Sequence, residues 1–272
     1  MVYDPHPFPG PHPHLRRQED MASYFVTGAS RGLGLGICTA LAARPAADVS
    51  VVFAAVRTET DALKRLVAGS AGRVQAVSVD VTSESGVQDA AAKVEQSLGG
   101  KGLDVVVNSA GVMPYTADGI WNMKDLTPTL DTNVTSAHLV TAALLPLLRK
   151  GTMKKVVNLS STLGSIGMAA TFHLSPSPAY KISKAALNML TVQYALSLAD
   201  EGFTVITISP GWVKTDMGGS RADIDVETSV NATLDIVSRA KTADTGKFFN
   251  IHVPGYEDAP GINQYDGGQP PW

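Results

Sequence analysis

Short, continuous apolar runs alternate with helix-periodic stretches along most of the chain. The strand-like runs are Ser23–Thr27, Ser50–Ala55, Val74–Val79, Leu103–Val107, Lys155–Leu159, Thr204–Ile208 and Lys247–His252. Helical periodicity lies between them, near 33–44, 59–68, 84–97, 128–149, 179–200 and 226–240. Strands buried on both faces read as unbroken Val/Ile runs, so the alternation predicts a parallel sheet covered by helices on both sides. Crossovers in such a sheet are right-handed. The pattern predicts a single α/β domain over 21–272, with no repeat and no second domain.

Residues 1–20 differ in kind. They hold five prolines and three histidines, His6, His12 and His14. Proline removes backbone donors and favours extended chain, which predicts a flexible tail. A metal site at His12 and His14 is the sharper alternative, but it has too few fixed ligands to be favoured, and no metal site is expected elsewhere. Met21, just before the first strand, is a possible second start.

Composition narrows the class without naming it. Hydrophobic residues at 44% and charged residues at 17% fit an ordinary soluble globule. The net charge of −3 implies no nucleic-acid partner. No apolar run approaches the ~18 residues of a membrane span. The single cysteine, Cys38, excludes an internal disulfide and fits a reducing compartment. The first residues carry neither a secretion signal nor a transit peptide pattern, so a cytoplasmic location is expected.

Chemistry enters at Thr27-Gly28-Ala29-Ser30-Arg31-Gly32-Leu33-Gly34, between the first strand and the first helix. A glycine turn there lets backbone approach a pyrophosphate, and the helix N-terminus favours its charge. A glycine turn without a ligand is the plain alternative. Tyr180 and Lys184 lie four apart in a segment of helical pattern, hence on one face. A nearby cation favours an ionised phenol, which makes Tyr180 a candidate acid/base group. Alone, the pair is a weak signal and reads more often as a partly solvated helix face.

Together these residues resemble the short-chain dehydrogenase/reductase family. The matches run in family order over about residues 22–253: the glycine turn, Asp80-Val81, Asn108-Ser109-Ala110-Gly111, Asn133, Ser160-Ser161, Tyr180-x-x-x-Lys184 and Pro210-Gly211. Ser109 departs from the family, which often has a second Asn there. The 19-residue step from Ser161 to Tyr180 is also longer than is common. The run Gly211–Gly219 and the closing Trp272 are similar to sniffer/C-factor-like carbonyl reductases. Asn250–Gly255 is similar to fungal norsolorinic-acid-type ketoreductases.

The resemblance implies a doubly wound Rossmann fold, with a seven-stranded, mainly parallel sheet in the order 3-2-1-4-5-6-7. Motifs from five strand ends then converge on one rim, where such sheets bind ligands. For the cofactor the resemblance implies Gly28, Ser30, Arg31, Gly32, Leu33 and Gly34 at the pyrophosphate. Asp80 and Val81 border the adenine, and Asn108, Ala110 and Gly111 the adenosine ribose. Pro210, Gly211, Val213 and Thr215 lie toward the nicotinamide, and Tyr180 and Lys184 toward its ribose. Gly34 has close helix packing as its plain alternative, and Asp80 a helix cap. Arg57 stands after the second strand, where an NAD site offers an acidic residue. With Arg31, it predicts that NADP(H) is preferred, through pairing with the 2′-phosphate.

By the same resemblance Tyr180 is the general acid, with its pKa lowered by Lys184. Ser161, in preference to Ser160, aligns the carbonyl, and Asn133 anchors a water in a proton relay. The expected activity is NADPH-dependent reduction of a ketone or aldehyde. The alternatives are an NADP(H)-sensing binding protein without catalysis and an NAD-dependent alcohol dehydrogenase. The partners expected are a small-molecule carbonyl and a second copy of the chain, in a homodimer or homotetramer through the helices near 128–149 and 179–200. The stretch Thr162–Ala179 predicts an apolar wall for a bulky or aromatic ketone, with His173 at a lid or interface. Met217–Ser220 predicts a hinge for a second wall.

Overall fold

The computed structural model describes residues 21–272. The tail at 1–20, and with it the metal alternative at His12 and His14, lies outside the described residues. All seven expected strands are present: β1 (Ala22–Thr27), β2 (Val49–Val56), β3 (Val74–Ser78), β4 (Val105–Asn108), β5 (Lys155–Leu159), β6 (Thr204–Ser209) and β7 (Phe248–Asn250). They pair in parallel throughout, in the order β3-β2-β1-β4-β5-β6-β7. The order is the one expected. β7 is shorter than its apolar run, which continues past Asn250 through Ile251, still bonded to Ser209 O, and His252, paired with the returning chain at Asp266.

The helices are α1 (Gly32–Ala43), α2 (Asp61–Gly69), α3 (Glu84–Leu98), α4 (Leu126–Leu130), α5 (Ser136–Lys150), α6 (Pro178–Ser197) and α7 (Val226–Arg239). Side-chain alternation along the strands divides the core. Tyr24, Val26, Val52, Val105 and Ile206 face Ile37 and Leu41 of α1 and Leu234 of α7. Phe25, Phe53, Val106 and Val205 face Val94 of α3 and Leu144 of α5. Full burial of such side chains contributes about 1.5–3 kcal/mol each.

The expected helix at 128–149 begins earlier and is not uniform. A π-helical turn at Asp131–Thr135 joins α4 to α5. Helix ends follow local chemistry. Thr60, Ser83 and Asp225 cap α2, α3 and α7 through their side chains. Ser83, not Asp80, caps α3, so the cap alternative for Asp80 is corrected. Asp80 instead accepts from the amide and hydroxyl of Thr82 in a tight local turn.

Strand β7 is an edge only on paper. Its Asn250 amide donates to Gly268 O at 2.9 Å, and His252 bridges Asp266 in antiparallel fashion. At the opposite end of the sheet from the glycine turn, buried Asp104 joins β1, β4 and the approach to β5. It accepts from Ser23 N and Oγ, Thr152 N and Oγ1, and Met153 N, at 2.9–3.3 Å. Asp104→Ala strands these donors. The expected loss is on the order of 3 kcal/mol, read as a lower urea midpoint at unchanged helix content. An unchanged midpoint would mean that water replaces the carboxylate.

Candidate active site

The carboxyl ends of the strands gather the motifs. After β1 the chain turns sharply, with φ +67° at Gly28 and +55° at Gly32. A Cβ on Gly28 would stand 2.9 Å from Ala110 Cα, so the turn lies directly on the loop after β4. Thr27 Oγ1 fixes that contact by accepting from the amides of Ser109 and Ala110. Gly34 serves packing, since its Cβ would meet Gly28 O at 2.3 Å. Leu33 packs on the core, and Ser30 O accepts from Thr60 at the start of α2. No side chain caps α1, and its first turn has no acidic residue. Amides left open in this way at a glycine turn suit a pyrophosphate. Thr215 closes the other side, 3.5 Å from where a Gly32 Cβ would be.

Ser161, Tyr180 and Lys184 come together. Helix α6 starts at Pro178, whose missing amide is no loss at a first turn. Tyr180 and Lys184 share its buried face, with the ammonium 5.5 Å from the ring centre. Lys184 Nζ donates to Leu159 O at 2.7 Å, tying α6 to the end of β5. Ser161 follows that strand and hydrogen-bonds to Tyr180. Ser160 is buried and donates to Lys184 O at 3.4 Å. Of the two serines, Ser161 is the one whose hydroxyl acts on the phenol.

Asn133 sits in the π-turn. Its amide donates to Val112 O and Ser183 Oγ, and Oδ1 accepts from Val112 N. The side chain therefore fastens the loop after β4 to α6. Gly111 lies between it and the lysine, where a Cβ would be 3.2 Å from Asn133 Oδ1 and 3.8 Å from Lys184 Nζ. Asn108 turns into the core, donating to Thr141 and Asn158. It would shape a ribose wall through its backbone only.

The electrostatics correct one expectation. Lys184 does not depress the phenol. Burial pushes Tyr180 up to about 12, against a smaller lowering by the Ser161 hydrogen bond. Burial also brings the Lys184 ammonium down to about 8. Burial acts against the charged form of each group, so the phenol stays protonated and the ammonium is held less firmly than in water.

Past the ends of β2 and β3, hydrogen bonds from Thr82 hold the Asp80 carboxyl low, with a smaller contribution from nearby Arg57. Val81 is half-buried beside it. Arg31 does not join them. It pairs with Asp216 across the cleft at 2.9 Å, with both side chains exposed. At the other end, Pro210 O accepts from Ser229, and Gly211 has φ +83°. Val213 is buried and bridges Ile224. The expected hinge at Met217–Ser220 is a closed turn: Gly218 N donates to Thr215 Oγ1, Gly219 N to Thr215 O, and the Trp212 indole to Gly218 O.

The long step before Tyr180 divides its apolar residues. Phe172 is buried, Leu163 and Met168 are half-buried, and Ile166 and Leu174 are exposed. His173 is exposed and bonded to Ala170 O. The outer side of this loop borders a groove of about 340 Å³ with residues 116–120, Pro178 and Lys181. A second groove of about 510 Å³ continues along 115–118 to Pro128. Neither includes Ser161 or Tyr180. The segment 112–125 is thus a wall that the strand pattern did not reveal. Its signal was Tyr115, Ile120 and Trp121, three exposed apolar residues soon after Gly111.

A family model described as short chain dehydrogenase matches residues 23–224. The short-chain dehydrogenase/reductase AacuF of Aspergillus aculeatus is 35% identical over 225 residues, covering 79% of this chain and 83% of that protein. The NADPH-bound carbonyl reductase from chicken fatty liver superposes with a TM-score of 0.80 at 32% identity, covering 93% of this chain and 99% of its own. The carbonyl reductase Sniffer of D. melanogaster gives 0.80 at 29% identity, covering 93% and 100%.

The depressed lysine has a measurable consequence. Between about pH 8 and 10.5 the unfolded chain holds the Lys184 proton and the folded one does not. This group therefore costs stability below pH 8, and its penalty fades as pH rises through that window. Lys184→Met is expected to be more stable than the native chain at pH 7, by on the order of 2 kcal/mol, with the gap closing toward pH 10. Urea midpoints over that range measure it. A gap independent of pH would place the lysine's proton elsewhere.

Proposed function

Because the chain belongs to the short-chain dehydrogenase family, we propose that it reduces a ketone or aldehyde to an alcohol, using NADP(H). The observation that carries this reading is the joining of Ser161, Tyr180 and Lys184 beside an uncapped glycine turn. The residues present fit the dinucleotide. Open amides at Gly32 and Leu33 would hold the pyrophosphate, and Val213 and Thr215 the nicotinamide end. The bound cofactor supplies the hydride. Tyr180 gives its proton to the developing alkoxide, which is a stronger base than a phenolate even when burial raises the phenol. Ser161 aligns the carbonyl oxygen. Lys184 holds the nicotinamide ribose and passes a proton toward Tyr180. A water for this relay would be held at Asn133 by atoms other than its committed amide protons.

The preference for NADP(H) is supported by Arg57 and by the NADPH bound in the chicken enzyme. The pairing of Arg31 with Asp216 leaves Arg57 as the main discriminator. Tyr115, Trp121 and Leu174, exposed apolar residues of the segments 112–125 and 162–177, favour a bulky apolar or aromatic ketone. The single cysteine, Cys38, is free and buried, in keeping with a cytoplasmic location. Among the described residues no helix is long and apolar enough to cross a membrane. Self-association is supported by Ile182, Met189 and Leu196, exposed at seven-residue intervals on α6.

A carbonyl panel followed by NADPH absorbance tests the activity. Tyr180→Phe is expected to lower turnover by at least about 100-fold, with NADPH affinity within two-fold of native. Arg57→Ala is expected to weaken NADPH by about ten-fold or more and to leave NADH nearly unchanged. Substantial turnover by Tyr180→Phe refutes the assigned acid, and equal native affinity for both cofactors refutes the preference. For assembly, light scattering is expected to give a dimer or tetramer that Met189→Glu with Leu196→Glu converts to monomer. A native monomer at micromolar concentration rejects that part.

A further inference from the structure

The segment after β7 touches both loops that flank the reacting groups. Its first attachment is Tyr265, which is buried. The Tyr265 hydroxyl donates to Asp223 Oδ2 at 2.6 Å and accepts from Trp212 N at 3.0 Å. Asn263 donates to the same Asp223 oxygen at 2.9 Å. The Tyr265 ring also stands 3.1 Å from where a Gly211 Cβ would lie. One phenol thus closes both ends of the loop 211–223, which carries Val213 and Thr215.

The second attachment is Pro271-Trp272. Ser165 Oγ donates to Pro271 O at 2.6 Å, and Gly167 N donates to Trp272 O at 2.9 Å. The indole of Trp272 stacks on Phe248 of β7, with ring centres 5.5 Å apart. Gly167 lies close against the segment, since a Cβ there would stand 3.0 Å from the Pro271 ring. Ser165 lies four residues past Ser161 through a turn closed by Gly164 N to Ser161 O and Ser165 N to Thr162 O. Between the two attachments the segment is fixed to β7. Asn250 donates to Gln264 O and Asp266 Oδ1, and its amide to Gly268 O.

We propose that residues 263–272 form a brace that sets the two walls of the substrate cleft from one rigid strand. Tyr265 is a positioning residue for the cofactor-facing wall, and Trp272 for the carbonyl-facing wall. This rests on the reading that 162–177 and 211–223 border the reacting groups. The two loops share few direct bonds, so their spacing is inherited from β7 through the brace. Loosening either attachment is expected to affect its own wall first.

The test uses the full chain. Trp272→Ala is expected to raise KM for a bulky aryl ketone by about five-fold while kcat stays within two-fold, with the NADPH dissociation constant unchanged. Hydrogen exchange at Gly167 and Met168 should quicken in this variant, while Trp212 stays protected. Trp272→Phe keeps a stacked ring and should restore both readouts. Tyr265→Phe is expected to weaken NADPH by about five-fold and to expose the Trp212 amide, leaving Gly167 protected. Unchanged exchange at Gly167 in Trp272→Ala overturns the brace. So does an equal loosening of both loops with a lowered Tm in either variant, which would make the segment ordinary core. If the native chain reduces no carbonyl, the proposed function fails, and exchange at Gly167 and Trp212 still decides the brace.

Discussion

A buried ammonium holds the site together. Lys184 lies inside the domain with its ammonium donating a hydrogen bond to one carbonyl oxygen, that of Leu159 at the end of β5. An unpaired charge at that depth would be costly, so the contact fixes how α6 approaches the strand. The fit is close. A side chain at Gly164 would meet Lys184 Cβ at 2.5 Å. Tyr180 is one helical turn away and Ser161 two residues past Leu159, so a single hydrogen bond sets their mutual position. Asn133 adds the third side by fastening Val112 and Ser183 from the π-turn. A π-turn widens the helix locally, and such turns are common where a side chain must be aimed at a site.

Beneath these groups lies a rigid polar seam. Thr141, Asn108, Asn158, Thr191 and Thr207 form a connected hydrogen-bond chain across α5, β4, β5, α6 and β6. Apolar residues could fill this space, but they would not fix the register of α6 over the strands. Hydrogen-bond directions do. The loops above the seam are held differently, by main-chain contacts such as Thr116 N to Pro176 O and by the segment after β7. The domain therefore separates a stiff base, which orients the reacting side chains, from walls that can differ in sequence without disturbing it.

The features legible in the sequence were those fixed by local pattern. Strands buried on both faces read as nearly continuous apolar runs, so all seven strands announced themselves, polar seam residues included. Gly28 and Gly32 need φ values that other residues avoid, and Tyr180 and Lys184 share a face by helical period alone. The rest depended on partners distant in sequence. Arg31 was expected at a phosphate, but 185 positions along the chain Asp216 offers it a carboxylate. Asn133 was expected to hold water, and Val112 and Ser183 occupy its amide. Nothing in the spacing of residues 126–150 distinguishes a π-turn from continuous helix. The wall at 112–125 has no period at all, because its shape comes from turns such as Gly119, on whose α-carbon the Trp121 ring packs.

The expected effect of Lys184 on Tyr180 failed for a reason that bears on how the site works. A cation lowers a phenol's pKa only if the field between them exceeds the cost of drying both. Here the ammonium is 5.5 Å from the ring centre, points at Leu159 O, and is itself brought down to about 8. Desolvation prevails, and the phenol rises to about 12. The protein alone thus presents a neutral phenol with its proton in place and a lysine close to losing one. Negative charge brought to the glycine turn would favour the ammonium and move it back toward its ordinary value. A restored cation beside the ring would then ease the phenol downward. In this arrangement burial keeps the phenol protonated, and anionic charge nearby is what would bring the lysine, and with it the phenol, back toward ordinary values.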